Sequence, residues 1–109
     1  MVEYKSEQKL DLIFHALSDQ TRRDLLFRLT EKHQRVTDVA IHYDISLNAV
    51  SKHLKVLENA MLIERKIEGR THYCRTKPKQ LKAVEKWIEP YRQFWSHSLD
   101  RLDKYLKDK

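Results

Sequence analysis

The chain has 109 residues, a hydrophobic content of 40% and a net charge of +6, which suits one small domain, only marginally able to bury its apolar surface alone. It has no run of about 18 apolar residues for a membrane span and no basic start with an apolar core for a signal peptide. Its single cysteine, Cys74, excludes an internal disulfide, so a reducing cytoplasm is expected. One glycine, Gly69, and two prolines, Pro78 and Pro90, leave few helix breakers, and a mainly α fold follows. The charge is uneven. Residues 1–45 hold 7 Lys/Arg against 8 Asp/Glu, residues 46–76 hold 6 against 3, and residues 77–109 hold 9 against 5. A positive excess beginning near residue 46 is what a polyanion-binding surface needs, although plain solvation also produces basic proteins.

Met1 to Ser6 is expected to be a loose start. Leu10, Ile13, Phe14 and Leu17 then recur at helical spacing and predict a first helix over 7–17. Ser18 and Asp19 are good N-cap residues for a second helix beginning near Gln20, with Leu25, Leu26 and Leu29 turned inward. Lys32 to Arg35 is read as a polar connection, and Thr37 as the cap of a short third helix carrying Val39, Ala40 and Tyr43. Asp44-Ile45 forms a tight joint, and Ser46 caps the next helix, so that 36–60 reads as a helix-turn-helix.

The helix after Ser46 has two faces. Leu47, Val50, Leu54 and Leu57 step by three and four along an inner stripe, while Asn48, Ser51, Lys52 and Lys55 occupy another side with no acid before Glu58. In a major groove Asn pairs with adenine and Lys with guanine or a phosphate. The competing reading is a polar face kept for solubility.

Beyond Met61 the apolar period shortens to two. Ile63 and Ile67 alternate with Glu64 and Lys66, Glu68-Gly69-Arg70 interrupts, and Tyr73 to Thr76 resume the alternation. Gly69 falls where a hairpin needs positive φ. The hairpin over 63–76 is decorated by Arg65, Lys66, Arg70, His72 and Arg75. A hairpin after a recognition-type helix is the wing of a winged helix, and its basic tip supplies affinity more than sequence choice.

From Pro78 to residue 107 the helical pattern returns, with Leu81, Val84, Ile88, Tyr91, Trp95, Leu99, Leu102 and Leu106 in one register. The register runs through Pro90, a residue that costs ~3 kcal/mol inside a helix, so one kinked helix or two collinear helices meeting at Glu89-Pro90 is expected. Roughly 28 helical residues reach about 42 Å, more than so small a domain covers. A symmetric dimer is therefore expected through Leu10, Ile13 and Phe14 of the first helix and Tyr91, Trp95, Leu99, Leu102 and Leu106 of the last. The alternative is a tail folded back on its own domain.

Four segments, taken in order, resemble the ArsR/SmtB family of winged-helix bacterial transcriptional repressors. They are F-H-A-L-S-D-Q-T-R-R at Phe14 to Arg23, V-S-K-H-L-K-V-L-E at Val50 to Glu58, E-G-R-T-H-Y at Glu68 to Tyr73, and W-I-E-P-Y-R-Q-F-W at Trp87 to Trp95. The resemblance implies a homodimer paired through its first and last helices, with a recognition helix in each of two successive major grooves of a near-palindromic operator. By position it implies base contacts from Asn48, Ser51 and Lys52, and phosphate contacts from Lys55 and the wing residues Lys66 and Arg70. Metal-sensing members carry a cysteine pair before the recognition helix; here Val36-Thr37-Asp38-Val39-Ala40 has none. Others use Asp and several His on the last helix, where this chain has only His97 near Asp100 and Asp103, short of the three or four ligands zinc takes.

His15 and His53 read as packed or surface residues, and His72 as a strand histidine near a phosphate or in solvent. Cys74 has no second thiol to pair with in a redox switch. Arg22 and Arg23 are candidates for phosphate anchoring or for an ion pair with Asp24 or Asp38, the structural role being preferred for at least one. Trp87, Tyr91, Phe94 and Trp95 read as interface core, with an apolar pocket as the alternative. No phosphate loop, nucleophile elbow or paired metal motif points to an enzyme, and no cofactor is expected. The expectation is one winged-helix DNA-binding domain over 1–109, a homodimeric cytoplasmic repressor with no membrane partner, open to an unknown small-molecule effector. Its rivals are a protein-interaction module and a ligand-responsive regulator using the aromatic cluster.

Overall fold

The computed structural model describes residues 6–108. The expected loose start lies outside the described residues except for Ser6, which already belongs to a helix. Helix α1 spans Ser6–Leu17 and α2 spans Gln20–Arg28. Asp19 caps α2 by accepting from the Arg22 amide at 3.0 Å, relieving one of the unpaired N–H groups that every helix start exposes. A two-residue strand β1 (Gln34–Arg35) leads directly into α3 (Val36–Ala40). The connection expected at Lys32 to Arg35 is thus half strand. Thr37 is not the cap of α3: the helix begins at Val36, Arg35 stands at the N-cap without a side-chain bond to the helix, and it pairs with Asp38 at 2.8 Å.

Helix α4 spans Leu47–Asn59, and the Ser46 hydroxyl caps it by accepting from the Ala49 amide at 3.0 Å. Its inner stripe buries Val50, Leu54 and Leu57, but Leu47 is 49% exposed and not part of the core. Leu47 opens the helix at the rim of a solvent-accessible cleft that it lines with Val36 and Thr37 of α3. Strands β2 (Ile63–Glu68) and β3 (Thr71–Thr76) form the hairpin, and the sheet order is β1-β3-β2, all antiparallel. Glu68 pairs with Thr71 around Gly69 at φ 60°, with Arg70 at negative φ, the combination a type II′ turn needs.

The core lies where α1, α2 and α4 cross above the base of the hairpin. Ile13, Ala16, Leu25, Leu29, Val39, Val50, Leu54, Leu57, Leu62 and Cys74 are fully covered there. The base of β3 is stitched to α2 by Thr76, whose amide donates to the Leu29 carbonyl at 2.9 Å and whose hydroxyl donates to the Leu26 carbonyl.

A 3₁₀ turn at Pro78–Gln80 leads into α5, Leu81–Lys107, which is continuous through Pro90. One helix, rather than two meeting at Glu89-Pro90, is therefore formed. None of its residues is buried, and Tyr91, Trp95, Leu99, Leu102 and Leu106 all stand exposed. The protein measures 67 × 33 × 21 Å with a radius of gyration of 18.6 Å, against about 13 Å for a compact chain of this length. The difference is the projecting α5. Edge-to-face packing of Phe14 on Trp87, with centroids 5.0 Å apart, joins α5 to α1 at its root.

Candidate nucleic-acid interface

The helical period that buries Val50, Leu54 and Leu57 turns Asn48, Ser51, Lys52 and Lys55 to another side of α4. Asn48, Lys52 and Lys55 are exposed and Ser51 is partly covered. Among the described residues, Asn48, Ser51 and Lys52 make no side-chain hydrogen bond or ion pair. A polar face that satisfies nothing within its own fold keeps its donors and acceptors for solvent or a ligand. Lys55 differs, standing 3.8 Å from the Glu58 carboxylate.

Alternation along the hairpin separates its cations. Directly opposed residues share a face, so the pairs Ile63–Thr76, Arg65–Cys74 and Ile67–His72 line the side that begins in the core. The hairpin outruns the core: Ile63, Cys74 and Thr76 are buried, while Ile67 is 60% exposed. Arg65 lies between these limits, donating through Nε to Glu58 of α4 at 2.8 Å and reaching His72 Nδ1 through Nη1 at 3.2 Å. Lys66 lies on the opposite face and is held by Glu68 at 2.9 Å, which raises its pKa. Arg75, on that same outer face, pairs with Glu64. Arg70, at the turn, has no ion-pair partner among the described residues.

α4, the start of α3 and the wing enclose a cleft of ≈ 380 Å³ lined by Arg35, Val36, Thr37, Leu47, Ser51, Arg65, Arg70, Thr71 and His72. It brings Ser51 and Arg70 together, with Asn48, Lys52 and Lys55 on the helix beside it and Lys66 outside it. Arg35, Thr37 and Arg65 were not picked out as ligand contacts by the sequence pattern. Their convergence depends on β1 pairing with β3 and on the hairpin register, neither of which leaves a local motif.

Other candidates resolve into structural roles. Arg22 donates to the Ala16 and His15 carbonyls and Arg23 to the Leu17 carbonyl. Both arginines thus serve the end of α1, and neither forms the ion pair expected with Asp24 or Asp38, which pair instead with Arg28 and Arg35. His53 is partly covered and contacts Arg22. Cys74 is 1% exposed, and burial pushes its thiol up, the reverse of what a reactive thiolate needs. Tyr43 lies beyond the end of α3, where its hydroxyl donates to Asp24. Of the expected pairing residues, Ile13 is corrected: at 1% exposure it belongs to the core and is not available to a partner. Leu10 and Phe14, half-buried, flank it on the same helix. Among the described residues no helix is long and apolar enough to cross a membrane.

This arrangement agrees with comparisons to known proteins. A family model described as bacterial regulatory protein, arsR family, matches residues 19–65. The chain is similar to the HTH-type transcriptional regulator YuzN of Bacillus subtilis, 38% identical over 87 residues that span 72% of this chain and 95% of that protein. It is also similar to the transcriptional repressor SdpR of Bacillus subtilis, 32% identical over 76 residues spanning 70% and 84% of the two chains. A crystal structure of an ArsR family transcriptional regulator has a TM-score of 0.77 at 32% identity, covering 88% of this chain and 97% of that one. By its winged helix-turn-helix and by these relatives, the chain belongs to the ArsR family of bacterial transcriptional regulators.

Proposed function

We propose that the protein is a homodimeric repressor, acting in the cytoplasm, that binds a near-palindromic DNA operator. The observation that carries the reading is the unsatisfied face of Asn48, Ser51 and Lys52 beside the cleft that α4 shares with Arg70. In this reading those three residues meet base edges in the major groove, and Lys55, Lys66 and Arg70 neutralise phosphates. Arg70 is the strongest phosphate ligand of the three, because Lys55 and Lys66 must first give up Glu58 and Glu68.

Pairing is supported by the uncovered stripe of α5. Tyr91, Trp95, Leu99, Leu102 and Leu106 with Leu10 and Phe14 form an apolar surface longer than the domain behind it, and self-association is the common way to cover one. Repression is supported by the likeness to SdpR, whose own name is transcriptional repressor. Release through the cysteine-pair metal site is disfavoured, since α3 contains no cysteine.

Polarisation titrations against genomic DNA fragments at two salt concentrations test this. Preferred fragments, bound with salt-dependent affinity, are the expected result. Weak binding with no preferred fragment would replace it with a protein-interaction module. A second reading, a regulator responsive to a small apolar ligand, is favoured by the cleft between α1 and α5 lined by Leu10, Ala83, Lys86, Trp87, Pro90 and Tyr91. A thermal-shift series against a metabolite panel addresses it, and silence across the panel leaves the simple repressor.

A further inference from the structure

Arg22, in the first turn of α2, gathers three elements at one guanidinium. Its Nε donates to the Ala16 carbonyl at 2.8 Å and its Nη2 to the His15 carbonyl at 3.0 Å, closing the C-terminal end of α1. Its Nη1 reaches His53 Nδ1 on α4 at 3.3 Å. Its backbone N–H is held by Asp19 at 3.0 Å, and that carboxylate stands 4.0 Å from the same His53 nitrogen. A guanidinium donates from a rigid planar fork, so the carbonyls of α1 and the ring on α4 are fixed relative to each other. α1 cannot turn against α4 without breaking one of these bonds.

The placement gives this tether its meaning. His53 follows Lys52 directly but lies on the flank of α4 that meets the α1–α2 junction. The recognition helix is thus anchored from behind its base-facing side. At the other end of the connection, α1 carries Leu10 and Phe14, and Phe14 packs on Trp87 of α5. The contact therefore joins the helix that carries part of the surface proposed for pairing to the helix proposed for reading DNA.

We propose that the Arg22–His53 contact is a positioning element that fixes α4 against the pairing helices and so sets the half-site separation the dimer accepts. This rests on the paired DNA-binding reading given above. Moving a half-site by one base pair shifts it by ~3.4 Å along the axis and turns it by about a tenth of a helical turn. A recognition helix held by a two-ended tether tolerates neither, whereas one free to pivot follows the site.

The test uses full-length protein and duplexes carrying the wild type's selected half-site as an inverted repeat, at centre-to-centre separations of about 9–12 base pairs, with a single half-site as control. His53→Phe removes the acceptor while leaving both Arg22 bonds to α1. His53→Asn offers an Oδ1 near the position of Nδ1 and should restore the tether. Wild type and His53→Asn are expected to lose about 10-fold in affinity for a one-base-pair change from the best spacing, and His53→Phe about 3-fold or less, with single-site affinities agreeing within about 2-fold. Arg22→Lys, which keeps a charge for the carbonyls but loses the fork, is expected to flatten the profile as His53→Phe does, and carries the test if that variant is unstable. A wild-type profile in His53→Phe or, if that variant does not fold, in Arg22→Lys overturns the tether alone. A flat profile in the wild type itself overturns the paired reading and the tether with it.

Discussion

Arg65 on the wing and Glu58 on α4 are joined by a hydrogen-bonded ion pair, Nε to Oε2 at 2.8 Å, in which both side chains are largely shielded from solvent. It ties the core-side face of β2 to the last turns of α4. Arg65→Ala leaves the Glu58 carboxylate half-covered, with Lys55 at 3.8 Å as its remaining cation. The expected cost is about 1–3 kcal/mol of stability, with weaker binding to every DNA sequence as the wing loosens. Urea denaturation combined with polarisation measures both, and an unchanged midpoint would reduce the pair to an ordinary surface contact.

Lys52 and Arg70 are expected to separate sequence reading from grip. Lys52→Ala should cost ~1–3 kcal/mol on the operator and relax preference at one base position. Arg70→Ala should weaken binding on operator and random duplex alike and lower the salt slope by about one. Equal losses on both duplexes for Lys52→Ala would make it a phosphate contact, and an unchanged salt slope for Arg70→Ala would remove the wing turn from the interface.

Met61 holds a backbone conformation that glycine usually occupies. It lies at φ 60° just after Ala60 ends α4, its amide donating to the Glu58 carbonyl at 2.9 Å and the Leu62 amide to the Leu57 carbonyl at 3.0 Å. This is a Schellman ending, and the side chain is 46% exposed, so little packing is at stake. Met61→Gly removes a penalty of about 1–2 kcal/mol, part of which is offset by the freer unfolded chain. A rise in thermal midpoint with unchanged DNA affinity is expected, since Met61 lies at the far end of α4 from Asn48. A fall in the midpoint contradicts it.

Tyr43 and Asp24 give stability opposite pH limits. Burial, reinforced by the hydrogen bond to Asp24, pushes the Tyr43 hydroxyl from 10.0 to about 12, and that same bond holds the Asp24 carboxyl below 3.8. The Asp24 contribution is present above about pH 4 and is lost as acid takes the pH down through the lowered folded value. The Tyr43 contribution is full below about pH 10 and is lost as the pH climbs towards 12. Tyr43→Phe should therefore flatten both ends of a plot of urea midpoint against pH. Superimposable curves for the two proteins would show the contact to be without effect.

Where a feature depended on neighbours in sequence, it could be read before any fold was known. Ser46 as a cap, Gly69 as the hairpin turn, the alternation of the wing and the unbroken stripe of α5 are all local patterns. Features that depend on what lies opposite were hidden. Gln34 and Arg35 carry no strand pattern of their own and pair only because β3 arrives beside them. Ile13 shares a stripe with Leu10 and Phe14, and spacing alone does not tell which side of that stripe meets the core. Leu47 fits the inner stripe of α4, yet it lines the cleft with Val36 and Thr37 instead of joining the core. The same limit applies to the interface. Asn48, Ser51 and Lys52 announce themselves by helical spacing, whereas Arg65 reaches the cleft beside them only through the hairpin register.

The most direct test of the central claim is a methylation-protection footprint of the wild-type protein on genomic fragments it selects, since guanine N7 lies in the major groove. Two protected major-groove segments about one helical turn apart, around 10 base pairs centre to centre, are expected, with protection in both weakened in Lys52→Ala at equal protein concentration. Selected fragments that show no major-groove protection, or protection unchanged in Lys52→Ala at equal protein concentration, would contradict the claim.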